Sequence, residues 1–186
     1  MLCLAERGTE MQHEVLVKEI AGVTQHVLET MLRQRVVVVK DVLHRDAAGS
    51  TDGVAALVGV AGEWQGNGCI SCSSELACKL ASQMVMHPYD SVNDDVLDAI
   101  GEIANMVIGN IKTNLEGALG PMGLTIPTVI YGHNFSTRVM GKHAWTEVTF
   151  DCDGESLQVQ LMLTKNVTES TAGAALQPNS HKVIRT

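Results

Sequence analysis

The sequence predicts an α+β domain, an antiparallel sheet with two long helices packed on it, and three observations predict it. Two stretches, about Thr9 to Gln34 and Asp95 to Leu119, space their apolar residues in the manner of amphipathic helices. Between and after them lie β-branched or alternating runs separated by short glycine-bearing stretches, the pattern of antiparallel hairpins. Shifted by about 80 positions, KEIAGVTQHVLETM lies loosely over DAIGEIANMVIGNI, which predicts a tandem helix–strand pseudo-repeat.

The first helix is carried by Val15, Ile20, Val23, Val27, Leu28 and Met31. RVVVVKDVLHRD then switches to a β-branched run and predicts a strand, and AAGSTDG has loop composition. VAALVGVAGEW and GCISCS predict a hairpin turning at QGNG. Ser73 and Ser74 stand before Glu75 and an apolar-periodic run, a helix start. That helix ends at His87-Pro88, because the residue before proline is pushed out of the helical region. DSVNDD offers N-cap candidates, and its carboxylates suit the positive end of the next helix. GALGPMG breaks that helix, and IPTVIYG, KHAWTEVTFDC and SLQVQLMLT follow as strands, the last two turning at Gly154.

With 186 residues the chain suits one domain, placed at 1–165, followed by a tail at 166–186 expected to be flexible because it lacks periodicity. Aromatics make up 3% of the chain, so the core must be aliphatic. The net charge of -8 and the shortage of stacking rings argue against nucleic acid and against an anionic membrane surface as partners. No run reaches membrane-spanning length, and the N-terminus lacks the basic start and apolar centre of a secretory signal. Five cysteines, an odd number, do not predict a closed disulfide framework; the expected location is cytoplasmic.

The stretch DVLDAIGEIANMVIGNIKTNL sets polar residues into an apolar helix. Asp98, Glu102 and Asn105 stand at i, i+4 and i+7, one stripe of a helix, while Ile100, Ile103, Val107 and Ile111 line another side. Such a stripe is either a solvated face or a site. Gly101 and Gly109 each weaken the helix by roughly 1 kcal/mol relative to Ala. In exchange they leave room for a close neighbour, either the chain's own sheet or a visiting partner.

DAIGEIANMVIGN followed by IPTVIYG resembles the signature of the CheC/CheX/FliY family of chemotaxis phosphatases. In that signature an acidic or Ser residue, a Glu, an Asn three further on and a later Pro recur in order. Asp98, Glu102, Asn105 and Pro127 fill those places. GVAGEWQGNGCISCSSELACKLASQMV is similar to the family's hairpin and following helix. The resemblance runs from about Val54 to Lys165, more loosely from Met11, and is nearer CheX than CheC: under the overlay the first helix offers only Gly22 and Gln25, so one site remains.

The resemblance implies a phosphatase for the aspartyl phosphate of CheY-like receivers. Asn105 would align the attacking water, since a carboxamide can donate and accept without changing charge. Glu102 would pair with the receiver's active-site Lys and fix register. Asp98 would contact the receiver or else cap or tune the helix, and Pro127 would shape the turn into the next strand. No metal or cofactor of its own is expected, Mg²⁺ belonging to the partner receiver. A homodimer is also implied, with RVVVVK as a possible edge for sheet extension. The alternative is a non-catalytic dimeric module that docks receiver or flagellar-switch proteins through the same helix.

Two further constellations weigh less. Cys69 and Cys72 form C-x-x-C with Cys78 nearby, but no second ligand pair accompanies them, which favours packing over zinc or redox chemistry. Ser136 between His133 and His143 lacks a nucleophile-elbow context.

Overall fold

A computed structural model describes residues 2–44, 51–135 and 144–166, with side chains in the first helix described from residue 13 onward. In chain order the elements are α1 (Leu2–Leu32), β1 (Val37–His44), β2 (Thr51–Gly62), β3 (Trp64–Cys72), α2 (Ser74–Val85), α3 (Asp94–Leu119), β4 (Met122–Leu124), β5 (Thr128–Phe135), β6 (Trp145–Cys152) and β7 (Glu155–Lys165). The seven strands among the described residues form one sheet in the order β1-β6-β7-β3-β2-β4, with β5 also paired to β2. Every pairing is antiparallel. This is the α+β arrangement expected from the hairpin pattern.

Alternation along the strands decides which residues enter the core. Val54, Ala56, Val58 and Val60 of β2, Ile70 and Cys72 of β3, Val148, Phe150 and Cys152 of β6, and Leu157, Val159, Leu161 and Leu163 of β7 all point to one face. There they meet Ile20, Val27 and Leu28 of α1, Leu76 and Leu80 of α2, and Ile100, Ile103, Val107 and Ile111 of α3 in one contiguous cluster. Cys69 and Cys72 differ by an odd number of positions, so their side chains leave β3 on opposite faces. Both are buried, and burial pushes each thiol up to about 12. Among the described residues no group of three or more His, Cys, Asp or Glu is placed to hold a metal ion.

The helix ends follow local chemistry. Ser73 caps α2: its Oγ accepts from the Leu76 N–H at 3.1 Å and donates to Glu155 Oε2 at 2.5 Å. Met86 closes α2 in the left-handed region (φ 56°), one residue before the expected His87-Pro88 stop. Asn93 caps α3 through Val96 N–H at 3.0 Å, with Asp94 and Asp95 in the first turn. Gly120 (φ 86°) ends it. Asp153 (φ 57°) and Gly154 (φ 92°) make the β6–β7 turn where it was expected.

Three expectations need correction. QGNG is not a turn: Gln65 to Gly68 lie inside β3, and the reversal occurs at Glu63. Gly66 and Gly68 are small because neighbours crowd them. A Cβ at Gly66 would stand 1.8 Å from the Met162 carbonyl oxygen, and one at Gly68 would stand 2.5 Å from Ile108 Cδ1 on α3. The end of AAGSTDG is strand, because Thr51–Gly53 pair with β5; residues 47–50 lie outside the described set. GALGPMG ends the helix as expected, but its last two residues and Leu124 also form β4, a strand not expected there, which continues the sheet beside β2. The tail expected at 166–186 is described only at Asn166, whose N–H reaches Glu63 O at 2.8 Å.

Candidate functional site

The buried residues of α3, including Val96, Ile100, Ile103, Val107 and Ile111, occupy one side of the helix. At about 100° per residue the opposite side is the Asp98–Glu102–Asn105 stripe. Asp98 and Glu102 are exposed and Asn105 is half-buried. At 1.5 Å per residue the stripe is about 10 Å long.

What separates these three residues from the polar residues that follow the helix's first residue, Asp94, is the lack of an internal partner among the described residues. Asp95 accepts from Tyr89 OH at 3.3 Å. Asn110 donates to Met106 O at 2.8 Å, Thr113 to Gly109 O at 2.9 Å, and Asn114 to Glu19 on α1 at 2.9 Å. Lys112 pairs with Glu116 at 2.9 Å, and the Met122 N–H together with that Lys holds the Glu116 carboxyl below its ordinary range. Asp98, Glu102 and Asn105 make no side-chain hydrogen bond or ion pair among the described residues. Their donors and acceptors face solvent.

One flank of the stripe is the segment joining β4 to β5. A Cβ at Gly101 would lie 3.2 Å from Val129 Cγ2 and 3.8 Å from Pro127 Cβ, and one at Gly109 would lie 3.5 Å from Leu124 Cδ1. The close neighbours of both glycines are therefore the chain's own residues 124–129 rather than open space for a visitor. Pro127 immediately precedes β5. Between these seated residues stands Ile126, 89% exposed. The sequence reading gave Ile126 to a strand, where an apolar residue reads as core, so its exposure was visible only once the segment was placed against α3.

The matching region of α1 carries no comparable set. Gly22 is exposed, a Cβ there would meet no described residue beyond its own turn within 4 Å, and Gln25 Nε2 donates to Val36 O at 3.4 Å. His133 is exposed at the end of β5, 3.9 Å from Asp52; Ser136 and His143 lie outside the described residues.

The stripe offers a carboxylate that can only accept and a carboxamide that can donate and accept. It holds no Ser, Cys or His that could attack. The arrangement suits positioning a small polar molecule and docking a cation.

A family model described as chemotaxis phosphatase CheX matches residues 54–151, which include most of β2, all of β3 and α2, the stripe and its flank. The chain belongs to the CheX family. Over 89 residues it is 32% identical to the CheY-P phosphatase CheX of Thermotoga maritima, a match covering 47% of this chain and 57% of that protein. Solved members of the family share its fold. The chemotaxis protein CheX of Vibrio vulnificus superposes with a TM-score of 0.72 at 22% identity, over 80% of this chain and 99% of that one. The CheX of Borrelia burgdorferi, solved as a CheX–CheY–BeF3–Mg²⁺ complex, superposes with a TM-score of 0.68 at 25% identity, over 80% of this chain and 97% of that one. No described helix is long and apolar enough to cross a membrane.

Proposed function

We propose that this chain is a phosphatase that accelerates hydrolysis of the aspartyl phosphate of a CheY-like receiver. The observation that carries the reading is the α3 stripe, whose three polar side chains point away from the core with no internal partner among the described residues. Support comes from the CheX family, from the Thermotoga maritima relative named a CheY-P phosphatase, and from the Borrelia burgdorferi neighbour solved with CheY.

An acyl phosphate is already reactive, so the helper's task is to hold water in line with the departing carboxylate. Asn105 does this through its carboxamide. Water adds to phosphorus, the P–O bond to the receiver's Asp breaks, and inorganic phosphate leaves with the carboxylate regenerated. Glu102 docks on the receiver's Lys, and Asp98 adds a second contact on the same stripe. The two carboxylates would repel a bare phosphoryl group, so they are tolerable only where the partner's Lys and Mg²⁺ offset their charge. The substrate is therefore a protein-bound phosphate and not a free phosphoester. Pro127 and the two glycines hold the flank against the helix.

A homodimer belongs to the same reading. Among the described residues β1 pairs with β6 alone and its other edge has no strand beside it, with Val37 49% and Val39 65% exposed. The deciding experiment is decay of a panel of CheY-type receivers, phosphorylated with acetyl phosphate, with and without this chain. Acceleration of at least one supports the reading. Binding without acceleration of any would transfer the stripe to a non-catalytic docking module.

A further inference from the structure

We infer that Ile126 is the apolar anchor of the receiver-docking surface, inserting against an apolar side chain at the rim of the receiver's phosphoaspartate pocket. This rests on the phosphatase reading and deepens it.

Exposure alone would say little, because single exposed apolar residues are normal. What singles out Ile126 is how its backbone is held. On one side Thr125 is locked to β2: its N–H donates to Gly59 O at 2.9 Å, and its Oγ1 accepts from Gly59 N–H at 2.9 Å. Before it, Leu124 is paired with Val60 in the sheet. On the other side Pro127 has a ring-fixed φ and rests beside Gly101. A residue between two such fixtures has little backbone freedom, yet its side chain is 89% exposed. Presenting a bulky apolar group rigidly to water serves nothing inside the chain, whereas it lowers the ordering cost of binding.

The location gives the partner. Leu124 sits at Gly109 and Pro127 at Gly101, so the segment runs along α3 in the opposite direction to the helix. Ile126 then stands abreast of the turn that carries Glu102 and Asn105. A protein seated on that turn must meet Ile126 as well. An apolar residue beside a charged, water-accessible stripe is the composition of a binding hot spot with a polar surround. The other exposed large apolar residues among those described lie on other elements: Val15 and Met31 on α1, Val37 and Val39 on the β1 edge, Val85 and Met86 at the end of α2, and Tyr131 on β5.

The test uses the full chain, Ile126→Ala and Ile126→Asp, and the receiver turned over fastest in the acetyl-phosphate panel. Initial rates are measured across receiver concentrations. KM should rise roughly tenfold in the Ala variant and further in the Asp variant, with kcat within about twofold, the pattern of lost docking contact. An unchanged KM in both variants, with the unaltered chain active, overturns this inference and leaves the phosphatase reading standing. A change in oligomeric state by light scattering also overturns it, by giving Ile126 to a contact between copies. An unaltered chain that accelerates no receiver overturns the underlying reading and this inference with it.

Discussion

Replacing Gly66 by Ala separates the structure's account of β3 from the turn that the sequence pattern implies. Gly66 faces Leu163 of β7 on one side and Val60 of β2 on the other. Its added Cβ would fall 1.8 Å from the Met162 carbonyl oxygen and 2.8 Å from the carbonyl carbon, both backbone atoms that no rotamer change can move. A tolerable C···O contact is about 3.3 Å, so β3 and β7 would have to part locally by roughly 1.5 Å. Two ladder hydrogen bonds at about 1 kcal/mol each, plus roughly 1 kcal/mol of disturbed packing, give a loss of about 3 kcal/mol. That is a large share of a typical domain's 5–15 kcal/mol or so. The assay is guanidinium denaturation followed by far-ultraviolet circular dichroism, reading the midpoint at unchanged slope. Gly117→Ala is the control, because that helical position has nothing within 4 Å of a new Cβ and should gain about 0.5–1 kcal/mol. A Gly66→Ala loss below about 0.5 kcal/mol would refute the reasoning, since a turn glycine with room would cost no more than that.

Ser73→Ala should cost about 1 kcal/mol by removing the α2 cap and its bond to Glu155, read in the same denaturation experiment. Stability should also fall on acidification. Asp153 is held below its ordinary value of 3.8, first by the Gln34 amide and then by Lys79, and Glu116 is held below 4.5, first by the Met122 N–H and then by Lys112. The folded chain thus binds fewer protons than the unfolded one in that range. The contribution is complete above about pH 5 and is lost as pH drops through the lowered values, so Asp153→Asn should flatten the acid limb of a midpoint-against-pH curve. Val39→Lys puts a charge on the β1 edge, and if the proposed dimer forms there the variant should be a monomer by light scattering at micromolar concentration while the unaltered chain is dimeric. A monomeric unaltered chain would remove the dimer proposal.

The long helices and the β6–β7 hairpin were legible because periodicity and caps act locally. Ile100, Ile103, Val107 and Ile111 mark a buried face by spacing alone, and Asp153-Gly154 announces its own turn. Gly66 and Gly68 misled because glycine carries one letter for two causes. A free turn and a crowded strand both exclude Cβ, and only the placement of Met162 and Ile108 tells them apart. The three-residue β4 is too short to show alternation, and its place depends on Val60 to Gly62 across the sheet. At the site, spacing put Asp98, Glu102 and Asn105 on one stripe, but it could not separate a solvated face from residues without internal partners. The flank formed by 124–129 was invisible, because nothing in IPT says that Pro127 will rest beside Gly101.

The most direct test of the account is the rate of dephosphorylation by Asn105→Ala, measured beside receiver binding. Asn105 is half-buried and bonded to nothing among the described residues, so its truncation should leave the fold intact. Losing a water-aligning group of this kind should slow hydrolysis about 100-fold or more, a barrier change of roughly 3 kcal/mol, while the dissociation constant for the receiver stays within about threefold. A variant that dephosphorylates the receiver as fast as the unaltered chain would contradict the account.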